Sequence, residues 1–146
     1  MIDHQYSYPK LMEQCTKEEL DAAQNYLLGY RLCERMMNLR GYERKRAAKM
    51  DEPENAEALL TASEHYWELQ IGEIKALINA LHNGREKMVL YYHFLRGESV
   101  ESAAHLIGIS RRTAYRMLQK GLAMVALALR ERTLHDCQNY DRTKSE

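Results

Sequence analysis

The sequence predicts an all-α protein: an N-terminal antiparallel helical hairpin, then a helix-turn-helix unit whose last helix is extended. Three observations carry this. Apolar residues recur at three- and four-residue spacing through most of the chain, the period of a helix face. The 146 residues hold 2 prolines and 7 glycines, so long stretches lack helix breakers. No segment shows the apolar–polar alternation of a half-buried strand.

Residues 1–15 show no periodicity, with Tyr6, Tyr8 and Pro9 available to pack on a neighbour. A helix start follows. Thr16 and Glu19 have capping-box spacing, and Cys15 and Leu20 can form the accompanying apolar staple. Leu20, Ala23, Leu27 and Tyr30 then mark a coiled-coil-like seam. Met36, Met37 and Leu39 continue it imperfectly, and Gly41 weakens the helix by roughly 1 kcal/mol relative to Ala. Arg40, Arg44, Lys45, Arg46 and Lys49 form a basic run. Such a run suits a solvated helix end, where cations favour the C-terminal dipole; the alternative is a second contact with DNA or an acidic partner.

Asp51-Glu52-Pro53-Glu54 reads as a helix restart, with proline in the first turn and acidic residues beside it. Leu60, Trp67, Ile71, Ile74, Ile78 and Leu81 share one face after it. The two helices, 17–49 and 54–81, are similar in length and joined by a short polar link, so antiparallel packing is the simplest arrangement. Residues 1–82 therefore read as a helical hairpin for self-association or partner binding. A lone hairpin buries little apolar area, so a homo-oligomer is expected, most simply a dimer.

Residues 83–132 form the helix-turn-helix unit. Asn83 and Glu86 have capping-box spacing. Gly97 and Gly108 mark turns, and Ser99 and Ser110 stand where they can cap the helices starting at Val100 and Arg111. Ile107-Gly108-Ile109 is a short glycine turn of the helix-turn-helix kind. Val89, Tyr92, Leu95, Val100, Ala103, Ala104, Ile107, Ile109, Ala114 and Leu118 are the expected core. Leu118, Leu122, Val125 and Leu129 carry one apolar face onward, and from Thr133 the chain turns polar, so 133–146 reads as a frayed tail.

The net charge is zero, but it is unevenly spread. Residues 1–82 hold 10 Lys/Arg against 14 Asp/Glu, residues 83–132 hold 9 against 4, and residues 133–146 hold 2 against 3. The helix-turn-helix stretch is thus the basic part of a neutral chain, as binding to phosphates requires. Cys15, Cys33 and Cys137 are odd in number and widely spaced, which suits free thiols in a reducing cytoplasm. No run of about 18 apolar residues suggests a membrane span, and Met1-Ile2-Asp3-His4-Gln5 does not start a signal peptide. His4, His65, His82, His93, His105 and His135 have no metal-ligand spacing, and no phosphate loop or nucleophile elbow is present. No cofactor and no enzymatic activity are expected.

The pattern in Arg85–Leu122 is specific. Arg85-Glu86, Val89, Gly97, Ser99, Glu101, Ala104, Gly108-Ile109-Ser110, Thr113-Ala114, Leu118 and Leu122 align without a gap. Together they resemble the fourth conserved region of bacterial sigma factors, which reads the promoter −35 element. Gly121 departs from that pattern, where alanine is usual; it either weakens the helix or admits a closer neighbour. The Thr113-Ala114-Tyr115-Arg116 phrasing and the chain's size are similar to small phage-encoded regulators of the ArpU and RinA type, which carry a sigma-like C-terminal domain alone.

This resemblance implies a sequence-specific double-stranded DNA-binding regulator of phage or prophage late genes, acting in the cytoplasm of a bacterial host and able to contact RNA polymerase. Ser110 and Thr113 would hold phosphates, while Arg111, Arg112, Tyr115, Arg116 and Gln119 project outward and Lys120 lies at their edge. Arginine favours guanine and glutamine favours adenine in a major groove. The bland alternative is a three-helix packing unit; the basic bias and the Ser110-Arg111-Arg112 opening argue against it. A rival function is a terminase small-subunit-like DNA-packaging protein, which also joins a helix-turn-helix to an oligomerisation element. A large ring would favour packaging, a monomer or dimer regulation.

Overall fold

The computed structural model describes residues 14–49 and 54–144, and all its regular structure is helical. The all-α class expected from the sequence is what it shows. Helix α1 spans Lys17–Lys49 and α2 Glu54–Ala80; α3, Arg85–Leu90, runs directly into a π-helical turn, Tyr91–Leu95. Helix α4 spans Val100–Ile107 and α5 Arg111–Lys144. Tyr6, Tyr8, Pro9 and the Asp51-Glu52-Pro53 restart lie outside the described residues.

The first helix begins as its sequence dictates. Thr16 N–H donates to Glu19 Oε1 at 3.2 Å and Glu19 N–H to Thr16 Oγ1 at 3.1 Å, the reciprocal pair of a capping box. Arg44 of α1 bridges to Glu64 of α2 at 2.7 Å, while Tyr30, earlier in α1, faces Lys75, later in α2. The two helices therefore run in opposite directions. Ala23, Leu27 and Tyr30 are buried between them and the rest of the chain, as are Ile74, Leu77 and Ile78. Trp67, by contrast, is half-buried, with its ring edge-on to Tyr66 at 4.8 Å between centroids.

One core crosses the boundary at residue 82. Leu27, Tyr30, Ile74 and Ile78 belong to the same buried cluster as Val89, Leu90, Phe94, Ala104, Ala114, Leu118 and Val125. Helix α5 lies against α1, α3 and α4. Its register on α1 is fixed by polar contacts. The Arg130 guanidinium donates to Glu19 from Nε at 2.8 Å and from an Nη at 2.6 Å, and Cys15 Sγ donates to the Ala123 carbonyl at 3.7 Å. Of the seam residues expected to drive self-association, Ala23, Leu27, Tyr30, Ile74 and Ile78 are thus buried inside one chain; Leu60 lies outside the described side chains.

Three expectations are corrected. Asn83 and Glu86 form no capping box: Gly84 is the N-cap residue of α3, with no side-chain cap. Asn83 Oδ1 instead accepts from Lys87 Nζ at 3.0 Å, and the Glu86 carboxylate is drawn to Lys120 at 3.1 Å. Leu90 and Phe94 are fully buried, whereas Tyr92 and Leu95 are half-buried. At 3.6 residues per turn Leu90 and Phe94 fall on one face beside Val89, while Tyr92 and Leu95 lie off it; the π turn follows, where Arg96 N–H bonds the Tyr91 carbonyl five residues back at 3.0 Å. Residues 133–144 remain helical rather than frayed. That stretch has neither glycine nor proline to interrupt the backbone ladder, and Thr133 Oγ1 donates to the Leu129 carbonyl at 3.0 Å. In the basic run, Arg40 and Arg44 pair with Glu43 and Glu64 while Lys45 and Arg46 are exposed.

Candidate nucleic-acid interface

The α4–α5 connection is built by local chemistry. Ser99 Oγ accepts from Ser102 N–H at 3.0 Å and caps α4. Gly108 ends it in the left-handed region, φ 81°, where a side chain would be strained. The N–H groups of Gly108 and Ile109 both reach the Ala104 carbonyl, closing the last turn of α4. Two residues on, Ser110 Oγ accepts from Thr113 N–H at 3.1 Å and donates to Thr113 Oγ1 at 2.8 Å, which starts α5. Ser110 and Thr113 thus spend their hydroxyls on one another and on the cap. Their further phosphate contacts would come through the remaining lone pairs or the helix terminus.

Buried Ala114 and Leu118 fix which face of α5 looks inward. Arg112 and Arg116, four residues apart, fall on the opposite face and are exposed; Gln119 is exposed beside them. Arg111 and Tyr115 form the neighbouring row and are not independent. Glu101 of α4 receives Arg111 Nε at 3.2 Å and the Tyr115 hydroxyl at 3.0 Å, and the Arg111 guanidinium lies 5.7 Å from the Tyr115 ring centre. Its own backbone N–H, then the Tyr115 hydroxyl and the Arg111 charge, hold the Glu101 carboxyl below the usual range. A carboxylate therefore sits beside the first arginine of the helix. Lys120 turns away from the arginine row to Glu86 and is 24% exposed, so it braces α3 against α5.

Two close approaches hold this end of the molecule. Gly121 of α5 lies against Leu90: a Cβ there would stand 2.9 Å from Leu90 Cγ. The closer neighbour, of the two readings of Gly121, is the one present. Gly97, φ 73°, lies under the Arg31 guanidinium of α1, which would overlap any side chain added there. No metal-holding group of three or more His, Cys, Asp or Glu occurs among the described residues. None of their helices is long and apolar enough to cross a membrane.

What this geometry defines is an all-helical chain presenting a capped helix start with an outward arginine row. Compared with protein-family models, curated proteins and solved structures, the chain finds no match.

Proposed function

We propose that the chain is a sequence-specific double-stranded DNA-binding transcription regulator that reads its site with the start of α5. The observation carrying this is the exposed Arg112/Arg116 row, set opposite buried Ala114 and Leu118 at a helix start held by Ser110 and Gly108. A helix so presented can enter a major groove, with one arginine bidentate on guanine and others on phosphates. Glu101 fits this role by orienting Arg111 and Tyr115 before DNA arrives. The likeness of Arg85–Leu122 to the promoter-reading sigma region supports a contact with RNA polymerase, and the Thr113-Ala114-Tyr115-Arg116 phrasing with the chain's size supports a regulator of phage or prophage late genes.

The test is binding to a duplex selected from fragmented phage or host DNA, followed across salt concentrations for single alanine variants. Replacing a base-reading arginine, Arg112 or Arg116, costs about 1–3 kcal/mol and relaxes preference at one position. Replacing Arg111 weakens all sequences alike and flattens the salt dependence. If the three arginines can be replaced together without loss of affinity while circular dichroism is unchanged, α5 is not the reader.

A further inference from the structure

Ala23, Leu27, Tyr30, Ile74 and Ile78 of the seams within residues 17–81 are covered by the chain itself, yet α1 carries a second apolar stripe on its far side. Leu28, Leu32, Leu39 and Tyr42 are 47%, 56%, 53% and 70% exposed. With exposed Arg35 they alternate at four- and three-residue steps, so they occupy one heptad frame: Leu32 and Leu39 at a, Leu28, Arg35 and Tyr42 at d. At about 100° per residue these five fall within about 80° of the helix circumference. The buried Ala23, Leu27, Tyr30 and Cys33 lie on the other side.

The same frame extends in both directions over exposed residues. Toward the N-terminus it takes in Asn25, Asp21 and Glu18; toward the C-terminus it takes in Arg46. The stripe is acidic at one end, apolar in the middle and basic at the other. That order selects its occupant. We propose that α1 pairs through this stripe with α1 of a second copy of the chain, running antiparallel. One register sets Asp21 opposite Arg46, Asn25 opposite Tyr42, Leu28 opposite Leu39 and Leu32 opposite Arg35. Every layer then joins an a position to a d position, as reversing one helix demands, and the two-fold axis passes between Cys33 and Glu34. A parallel pair would instead stack Arg46 on Arg46 and Asp21 on Asp21. The Arg35 stem covers Leu32 while its guanidinium reaches water at the edge.

The pairing stands independently of DNA binding. Where the reading under Proposed function also holds, two arginine rows related by a two-fold axis call for an inverted-repeat site.

Sedimentation of the full chain over a concentration series tests the pairing, with circular dichroism confirming that each variant folds. The wild type is expected to be a dimer, and Leu32→Glu with Leu39→Glu a monomer. Asp21→Arg alone and Arg46→Asp alone each weaken dimerisation by about tenfold, because each turns two symmetry-related attractions into repulsions. The double variant Asp21→Arg/Arg46→Asp recovers the wild-type dimer, which only the antiparallel register allows. Arg35→Leu tightens the dimer, a gain that misfolding cannot imitate. A monomer at every concentration, a larger ring, or a double variant no tighter than either single one would overturn the proposal.

Discussion

Gly121→Ala is a test of packing with a sign that can be worked out beforehand. In an unconstrained helix interior the change gains about 1 kcal/mol. Here the new Cβ would stand 2.9, 3.0 and 3.1 Å from Leu90 Cγ, Cδ1 and Cδ2, against roughly 3.5–4.0 Å for a relaxed carbon contact. Leu90 is 0% exposed and belongs to the buried cluster, so giving way means displacing packed neighbours. Overpacking of this kind costs about 1–3 kcal/mol, so the net effect is a loss of about 1 kcal/mol, or roughly 2–4 °C in melting temperature for a chain of this size. Gly41→Ala is the control: outside its own stretch of helix backbone no atom lies within 4 Å of its added Cβ, so it should stabilise by about 0.5–1 kcal/mol. Urea unfolding followed by circular dichroism measures both. A cycle with Leu90→Ala should show coupling, since the cavity from Leu90 relieves the crowding at residue 121. The reasoning is refuted if Gly121→Ala stabilises as much as Gly41→Ala.

Three further outcomes are expected. Glu101→Gln removes a carboxylate beside Arg111 and should strengthen binding to duplex DNA of any sequence at low salt; unchanged affinity in a filter or anisotropy assay would count against α5 as the reader. A fragment ending at His82 should be largely unfolded by circular dichroism, because Leu27, Tyr30, Ile74 and Ile78 would lose the cover of α3 and α5; a stably helical fragment would show two separable cores. Arg130, through its hydrogen bonds, holds the Glu19 carboxyl below its ordinary value of 4.5. The stability from that pair is therefore present above pH 4.5 and lost as the pH falls through the lowered value. Urea midpoints between pH 6 and pH 3 should fall less steeply in Glu19→Gln than in the wild type.

Local chemistry made much of this fold legible. Thr16 and Glu19 announced their capping box, and Ser99, Gly108 and Ser110 announced the α4–α5 connection, because the interactions span three or four residues. The same logic failed at Asn83 and Glu86, where Lys87 and Lys120 compete for the side chains. A periodic reading could not locate the π turn, since it assumes 3.6 residues per turn throughout; Phe94 was missed and Tyr92 overrated because residues 88–95 are apolar or aromatic nearly all round, so the pattern fits more than one face. The outward arginines followed from spacing alone. Glu101's hold on Arg111 and Tyr115 did not, because it joins two helices whose relative placement is set by the core. The docking of α5 on α1 joins residues over a hundred positions apart, as in Arg130 with Glu19, and no local pattern records it.

Two holds fix α5: the Arg130 clamp on Glu19 and, nine positions earlier, Gly121 packed against Leu90. Nine positions are about 13.5 Å of helix at 1.5 Å per residue. Held at both points, the helix cannot pivot about either one, so loss of the Glu19 contact would leave the Arg116 end where the Leu90 contact sets it. Were α5 the reader of DNA, crowding at residue 121 would disturb its aim more than a substitution at the clamp.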